Sequence, residues 1–146
     1  MQHLKVKHIV LCGHTCCGGA AAALTNSRIG GVLDTWLTPL KSIRKANEQE
    51  LKEITDDGAR GVRLAELNVE MGVHTILSNF VVEEAVRERG LKVHGVLYDI
   101  ACGKIRDLGV GNCGDASGRE EEAKVVKGNH GVLVFGNDGA VEMTVR

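Results

Sequence analysis

The sequence predicts an α/β fold: a small, mainly parallel sheet with flanking helices and a C-terminal β-hairpin. Three observations carry this expectation. A β-branched and apolar run over 6–12 meets Gly13 and then, past two further glycines, the alanines of 20–23, which reads as a strand, a tight turn and a helix. Apolar residues at helical spacing fill most of 31–89, ahead of a second strand-like run at 91–99. Two short apolar runs at 131–135 and 140–145 flank Asn137-Asp138-Gly139, a strong hairpin-turn signal.

Taken in order, 6–12 is a buried strand and 18–24 a helix start. The strand's carboxyl end leads into residues 13–18, the place where open α/β sheets put their sites. Residues 31–46 form an amphipathic helix with Val32, Leu33, Trp36, Leu37, Leu40 and Ile43 on its apolar side. Pro39, the single proline, predicts a kink or junction within it. The polar stretch 48–57 is a short helix or loop. The longest helical region is 61–89, divided near Asn79 and ended by Gly90, with Arg87 and Arg89 placed to favour the helix dipole. Strands follow at 91–99 and 104–108, joined by a hairpin-like turn at Ala101-Cys102-Gly103. Residues 109–123, glycine-rich and carrying Glu120, Glu121 and Glu122, read as a mobile linker with little apolar surface to repay ordering.

Composition narrows the function classes. The 146 residues suit one domain, and 43% apolar with 25% charged residues is ordinary for a soluble globular chain. A net charge of −1 argues against a nucleic-acid binder driven by bulk charge, and 3% aromatic residues against a base-stacking platform. No apolar run reaches the roughly 18–20 residues of a membrane helix. The start, Met1-Gln2-His3-Leu4-Lys5, lacks the apolar core of a secretory signal, so a cytoplasmic location is expected. Five cysteines without such a signal favour metal or thiol chemistry over a disulfide framework.

The informative string is Leu11-Cys12-Gly13-His14-Thr15-Cys16-Cys17-Gly18-Gly19. Imidazole and thiolate are good zinc ligands, and a turn opening a helix can present His14 and Cys17 to one ion. The helix start also favours thiolate at Cys17. A third donor is open among Cys12, two residues before His14 on the strand, Cys16, Cys113 and His130, or a partner chain or a second water; Cys12 reads first as a buried small apolar residue and Cys16 as pointing elsewhere. His94, in a strand, reads as a structural histidine, and Asp34 and Asn68 as backbone hydrogen-bonders.

This string resembles the zinc motif of the β-class carbonic anhydrases, Cys-Gly-His-x-x-Cys-Gly-Gly after a strand. The resemblance continues in register through Gly31-Val32-Leu33-Asp34-Thr35-Trp36-Leu37, Glu66-Leu67-Asn68-Val69 and Val93-His94-Gly95-Val96-Leu97-Tyr98-Asp99, then Gly103 and Asp107-Leu108. It covers 4–108 and sets the expected plan: an α/β core at 1–108, with a linker and C-terminal strand extension of the same domain at 109–146.

The resemblance implies a zinc cofactor, His14 and Cys17 as two of its three protein ligands, and reversible hydration of carbon dioxide to bicarbonate by a metal-acidified water. The family's Cys-x-Asp-x-Arg motif, which supplies another zinc cysteine and an Asp–Arg pair, has no counterpart in this sequence. No catalytic residue is therefore assigned, and weak activity is expected. The alternative is a non-catalytic zinc-binding or interaction protein that keeps the fold; a different hydrolysis at the same metal and thiol redox at Cys16-Cys17 are further options. The resemblance also leaves the strand at 7–12 as an exposed edge, a hazard relieved by pairing with a second copy or by the C-terminal strands folding back. A homo-oligomer, a dimer in the first instance, is expected, with no nucleic-acid or membrane partner.

Overall fold

The structure is a computed structural model and describes residues 3–25, 28–113, 131–135 and 141–145. Strand β1 (His8–His14) is followed by helices α1 (Gly18–Leu24), α2 (Val32–Trp36), α3 (Thr38–Ala46), α4 (Glu48–Glu53), α5 (Asp57–Leu77) and α6 (Phe80–Arg89). Strands β2 (Lys92–Asp99), β3 (Lys104–Gly111), β4 (Gly131–Phe135) and β5 (Val141–Val145) complete the order.

The sheet is mixed, in the order β1-β2-β3. β1 and β2 pair in parallel with His14 opposite Tyr98, and β3 returns antiparallel to β2. The expected parallel pairing is present in β1–β2, whereas β2–β3 is antiparallel because the short turn after Asp99 can only reverse the chain. β2 is the central strand and is the most deeply buried. β1 is an edge and only half-buried, which corrects the reading of 6–12 as a buried strand.

Helix boundaries follow local chemistry. Asp56 caps α5, its Oδ2 accepting from the Ala59 N–H at 2.6 Å, so that helix begins earlier than the apolar pattern indicated. Asn79 caps α6 through Val81 N–H at 3.1 Å, dividing the long helical region where expected. Gly90 closes α6 in the left-handed conformation (φ +67°). The junction expected at Pro39 is present: α2 ends at Trp36 and α3 begins at Thr38, with proline in its first turn.

The core has two parts. Ala20 and Ala23 of α1 pack with Ile43, Leu51, Leu64 and Leu67. Val69 and Val73 of α5 pack with Val82, Ala85, Leu91 and Val93 over the sheet. Helix α5 lies close on the strands because Gly13 and Gly95 offer no Cβ. One built at Gly13 would stand 2.7 Å from Val69 Cγ2, and one at Gly95 3.0 Å from Val69 Cγ1. The apolar side expected on 31–46 splits: Leu37 and Ile43 are buried, whereas Val32 (83% exposed) and Trp36 (71%) face outward.

β4 and β5 pair antiparallel as a separate two-stranded sheet, and β5 approaches β3. Among the described residues the hairpin approaches the sheet on its β3 side. Among the described residues no strand pairs with the outer edge of β1. β3 runs to Gly111, three residues past the expected end, because Asn112 ties it down: its Oδ1 accepts from Val93 N–H (2.7 Å) and its Nδ2 donates to Leu91 C=O (2.8 Å). The remainder of the expected linker, to residue 123, and the Asn137-Asp138-Gly139 turn lie outside the described residues.

Candidate metal centre

His14 ends β1 and Cys17 caps the start of α1, so two chemically reactive groups flank one turn at the carboxyl end of the parallel pair. The His14 ring is exposed, and its Nδ1 lies 2.8 Å from the Thr15 carbonyl oxygen. A carbonyl only accepts, so Nδ1 donates in this contact and, in the neutral imidazole, Nε2 holds the lone pair. Cys17 is half-buried and packs against the α1–α5 core cluster, which anchors its backbone.

The turn is held from β2. Thr15 N–H donates to Tyr98 C=O at 2.9 Å. The Thr15 hydroxyl donates to Asp99 Oδ1 at 3.3 Å and accepts from Ile100 N–H at 3.0 Å. Asp99 also accepts from Ala101 N–H (2.9 Å) and from the Cys102 thiol (3.2 Å). These donors, the Cys102 thiol foremost and then Ala101 N–H, hold the Asp99 carboxyl below the usual carboxylate range. Cys16 between the two donors has φ +55°, a left-handed conformation a non-glycine residue adopts at a cost of roughly 1 kcal/mol or more. Thr15 and Asp99 were not singled out from sequence. The signal was the pairing of the first two strands, which sets residue 15 just past the end of one strand and Asp99 at the end of the other.

The remaining sequence candidates separate in space. Cys12 is exposed, its thiol 3.2 Å from the Gly13 carbonyl, and is not the buried apolar residue that was the bland alternative. Cys16 is exposed within the turn. Cys113 is half-buried against His94, with Sγ 3.6 Å from Nδ1, and burial pushes its thiol up. His94 pairs with Val10 of β1, whereas His14 pairs with Tyr98, four residues further along. At about 3.3 Å per residue, Cys113 lies on the order of 13 Å from the His14 end. His130 lies outside the described residues.

His94 is 3% exposed, and its Nε2 is 2.9 Å from Nδ1 of His8, with the rings stacked. Burial foremost, then the His8 ring, lowers its pKa. Asp34 accepts from Gly30 N–H (2.8 Å), Ile29 N–H (3.2 Å) and the Lys41 ammonium (3.1 Å), a structural role as expected.

The donor set suits zinc in part. An oriented imidazole and a cysteine are borderline-soft ligands of the right kind. Among the described residues, however, no group of three or more His, Cys, Asp or Glu side chains is gathered to hold a metal ion.

A family model described as carbonic anhydrase matches residues 1–105. A carbonic anhydrase of Emericella nidulans is 42% identical over 109 residues, covering 74% of this chain and 47% of that protein. Among solved structures, a tetrameric β-carbonic anhydrase of Sordaria macrospora is 59% identical with a TM-score of 0.74, covering 75% of this chain and 56% of that one. A β-carbonic anhydrase of Aspergillus fumigatus is 50% identical with a TM-score of 0.71, covering 73% and 50%. The chain spans about half the length of the curated relative and of these structures. Its sequence match, its fold and its His14–Cys17 turn together place this chain in the β-class carbonic anhydrase family.

Proposed function

We propose that this chain is a zinc protein acting on carbon dioxide and bicarbonate, with His14 and Cys17 as zinc ligands. The observation that carries the reading is the His14 ring, whose Nδ1 is committed to the Thr15 carbonyl so that Nε2 is free to bind a metal. When bound, zinc would supply an acidified water at neutral pH, the chemistry that carbon dioxide hydration needs. The chain's own part is to fix the two donors. β1 sets the position of His14, Thr15 sets its ring, and the packing of α1 sets Cys17.

Zinc binding without turnover is the second reading. It is favoured by the two-donor count among the described residues, since a catalytic zinc takes three protein ligands and one open position. Stopped-flow hydration of carbon dioxide by zinc-loaded protein, with Cys17→Ser as control, separates the two. Hydration above buffer that disappears in Cys17→Ser supports the enzyme. Rates equal to buffer in zinc-bound protein support the binding reading.

We further read residues 1–108 as the core of a single domain that extends through 109–146, and the protein as a homo-oligomer, a dimer being the smallest. The open edge of β1 and exposed Val32 and Trp36 support association, and the Sordaria macrospora relative is tetrameric. A monodisperse monomer by light scattering would remove that reading. All five cysteines are free, which fits a reducing compartment such as the cytoplasm.

A further inference from the structure

We infer that Thr15, held by Asp99, is the positioning residue that sets which nitrogen of His14 faces the metal. The inference rests on the zinc reading above and adds a residue pair outside the ligand set.

The argument is a chain of hydrogen bonds. Residue 15 is fixed on three sides by the end of β2: its N–H donates to Tyr98 C=O, its hydroxyl donates to Asp99, and Ile100 N–H donates to that hydroxyl. Asp99 is itself fixed, by Ala101 N–H, by the Cys102 thiol and by Gly103 N–H, which donates to its main-chain carbonyl at 2.8 Å. With residue 15 held, its carbonyl stands where His14 Nδ1–H reaches it at 2.8 Å. The next residue, Cys16, is left-handed, a strained conformation that persists only where its neighbours over-determine it. Releasing the Thr15 side chain therefore frees the turn to relax, moves the carbonyl and removes the reason for His14 to keep its proton on Nδ1. The ligand chemistry of His14 and Cys17 is untouched by such a change; only their presentation is altered.

The test uses Thr15→Val, which keeps the shape and loses the hydroxyl, Thr15→Ser, which keeps the hydroxyl, and Asp99→Ala. Two quantities are read on the full chain. The first is the His14 tautomer in metal-free protein at pH 8, from two-bond nitrogen–proton NMR correlations. The second is zinc affinity by chelator competition, with the thiolate-to-cobalt band of the cobalt-loaded protein as a check on Cys17. The expected results are an Nδ1–H tautomer in wild type and Thr15→Ser, and a shift toward Nε2–H in Thr15→Val and Asp99→Ala. Zinc affinity should fall about 10- to 100-fold in those two variants and by less than about threefold in Thr15→Ser. Wild-type tautomer and affinity in Thr15→Val overturn the inference and leave the zinc reading intact, provided His14→Ala and Cys17→Ser still lose the metal. Zinc binding that survives His14→Ala and Cys17→Ser overturns both.

Discussion

Gly13→Ala tests whether the close approach of α5 to β1 depends on the missing Cβ at residue 13. A Cβ at residue 13 would stand 2.7 Å from Val69 Cγ2 and 3.1 Å from Leu97 Cδ1. Neither neighbour has room to retreat, since Val69 is 2% exposed and Leu97 2%. Overpacking of this kind costs about 1–3 kcal/mol. Restricting the unfolded chain offsets roughly 0.4–1 kcal/mol of that. The net expectation is a loss of about 1–2 kcal/mol. Val69→Ala removes the clashing methyl at its own cost of about 1.6 kcal/mol in transfer free energy, plus a cavity term. If the clash is the cause, the double variant is less destabilised than the sum of the singles by about 1 kcal/mol. Urea denaturation of the four proteins, with m-values compared, reads this directly. A neutral Gly13→Ala, or strict additivity with Val69→Ala, would refute the reasoning.

Further expectations concern charge and capping. His94 has a folded pKa below its unfolded value of about 6.5, so the unfolded chain takes up the proton first as pH falls. Its contribution is complete above that value and is lost on acidification, so the urea midpoint drops from pH 8 to pH 5.5, and less so in His94→Gln. Arg63 joins Glu50 of α4 (2.5 Å) to Glu66 (3.1 Å) and Glu70 (2.9 Å) of α5, and Glu66 also pairs with Arg106 of β3. Arg63→Ala should cost about 1 kcal/mol after allowance for its partial exposure, an effect that thermal melting shows shrinking in 0.5 M salt, while Arg63→Lys recovers only part of it. Asp56→Ala removes the α5 cap and should lower stability by about 1 kcal/mol in the same melts.

Much of this molecule is legible in its sequence because local signals agree with tertiary ones. The strand–turn–helix at the site, the junction at Pro39 and the Asn79 divide are each fixed by residues a few positions apart. The failures share a different cause. The exposure of Trp36 and Val32 was not legible, since helical spacing reports a face but not whether anything covers it. β3 is longer than its apolar run indicates because its last residues are held by Asn112, a side chain beyond the strand that reaches back to β2. At the site, His14 and Cys17 announce themselves through ligand chemistry and spacing. Thr15 and Asp99 do not, being 84 residues apart and joined only once β1 and β2 pair. The same holds for His8 and His94, which carry no mutual pattern yet meet at 2.9 Å.

The central claim is that His14 and Cys17 bind zinc together. Zinc K-edge X-ray absorption on the loaded full chain tests it most directly. The account predicts a first shell containing both sulfur, at about 2.3 Å, and imidazole nitrogen, at about 2.0–2.1 Å. The sulfur contribution should fall in Cys17→Ser and the imidazole contribution in His14→Ala. A shell of oxygen alone, or one that neither substitution changes, would contradict it.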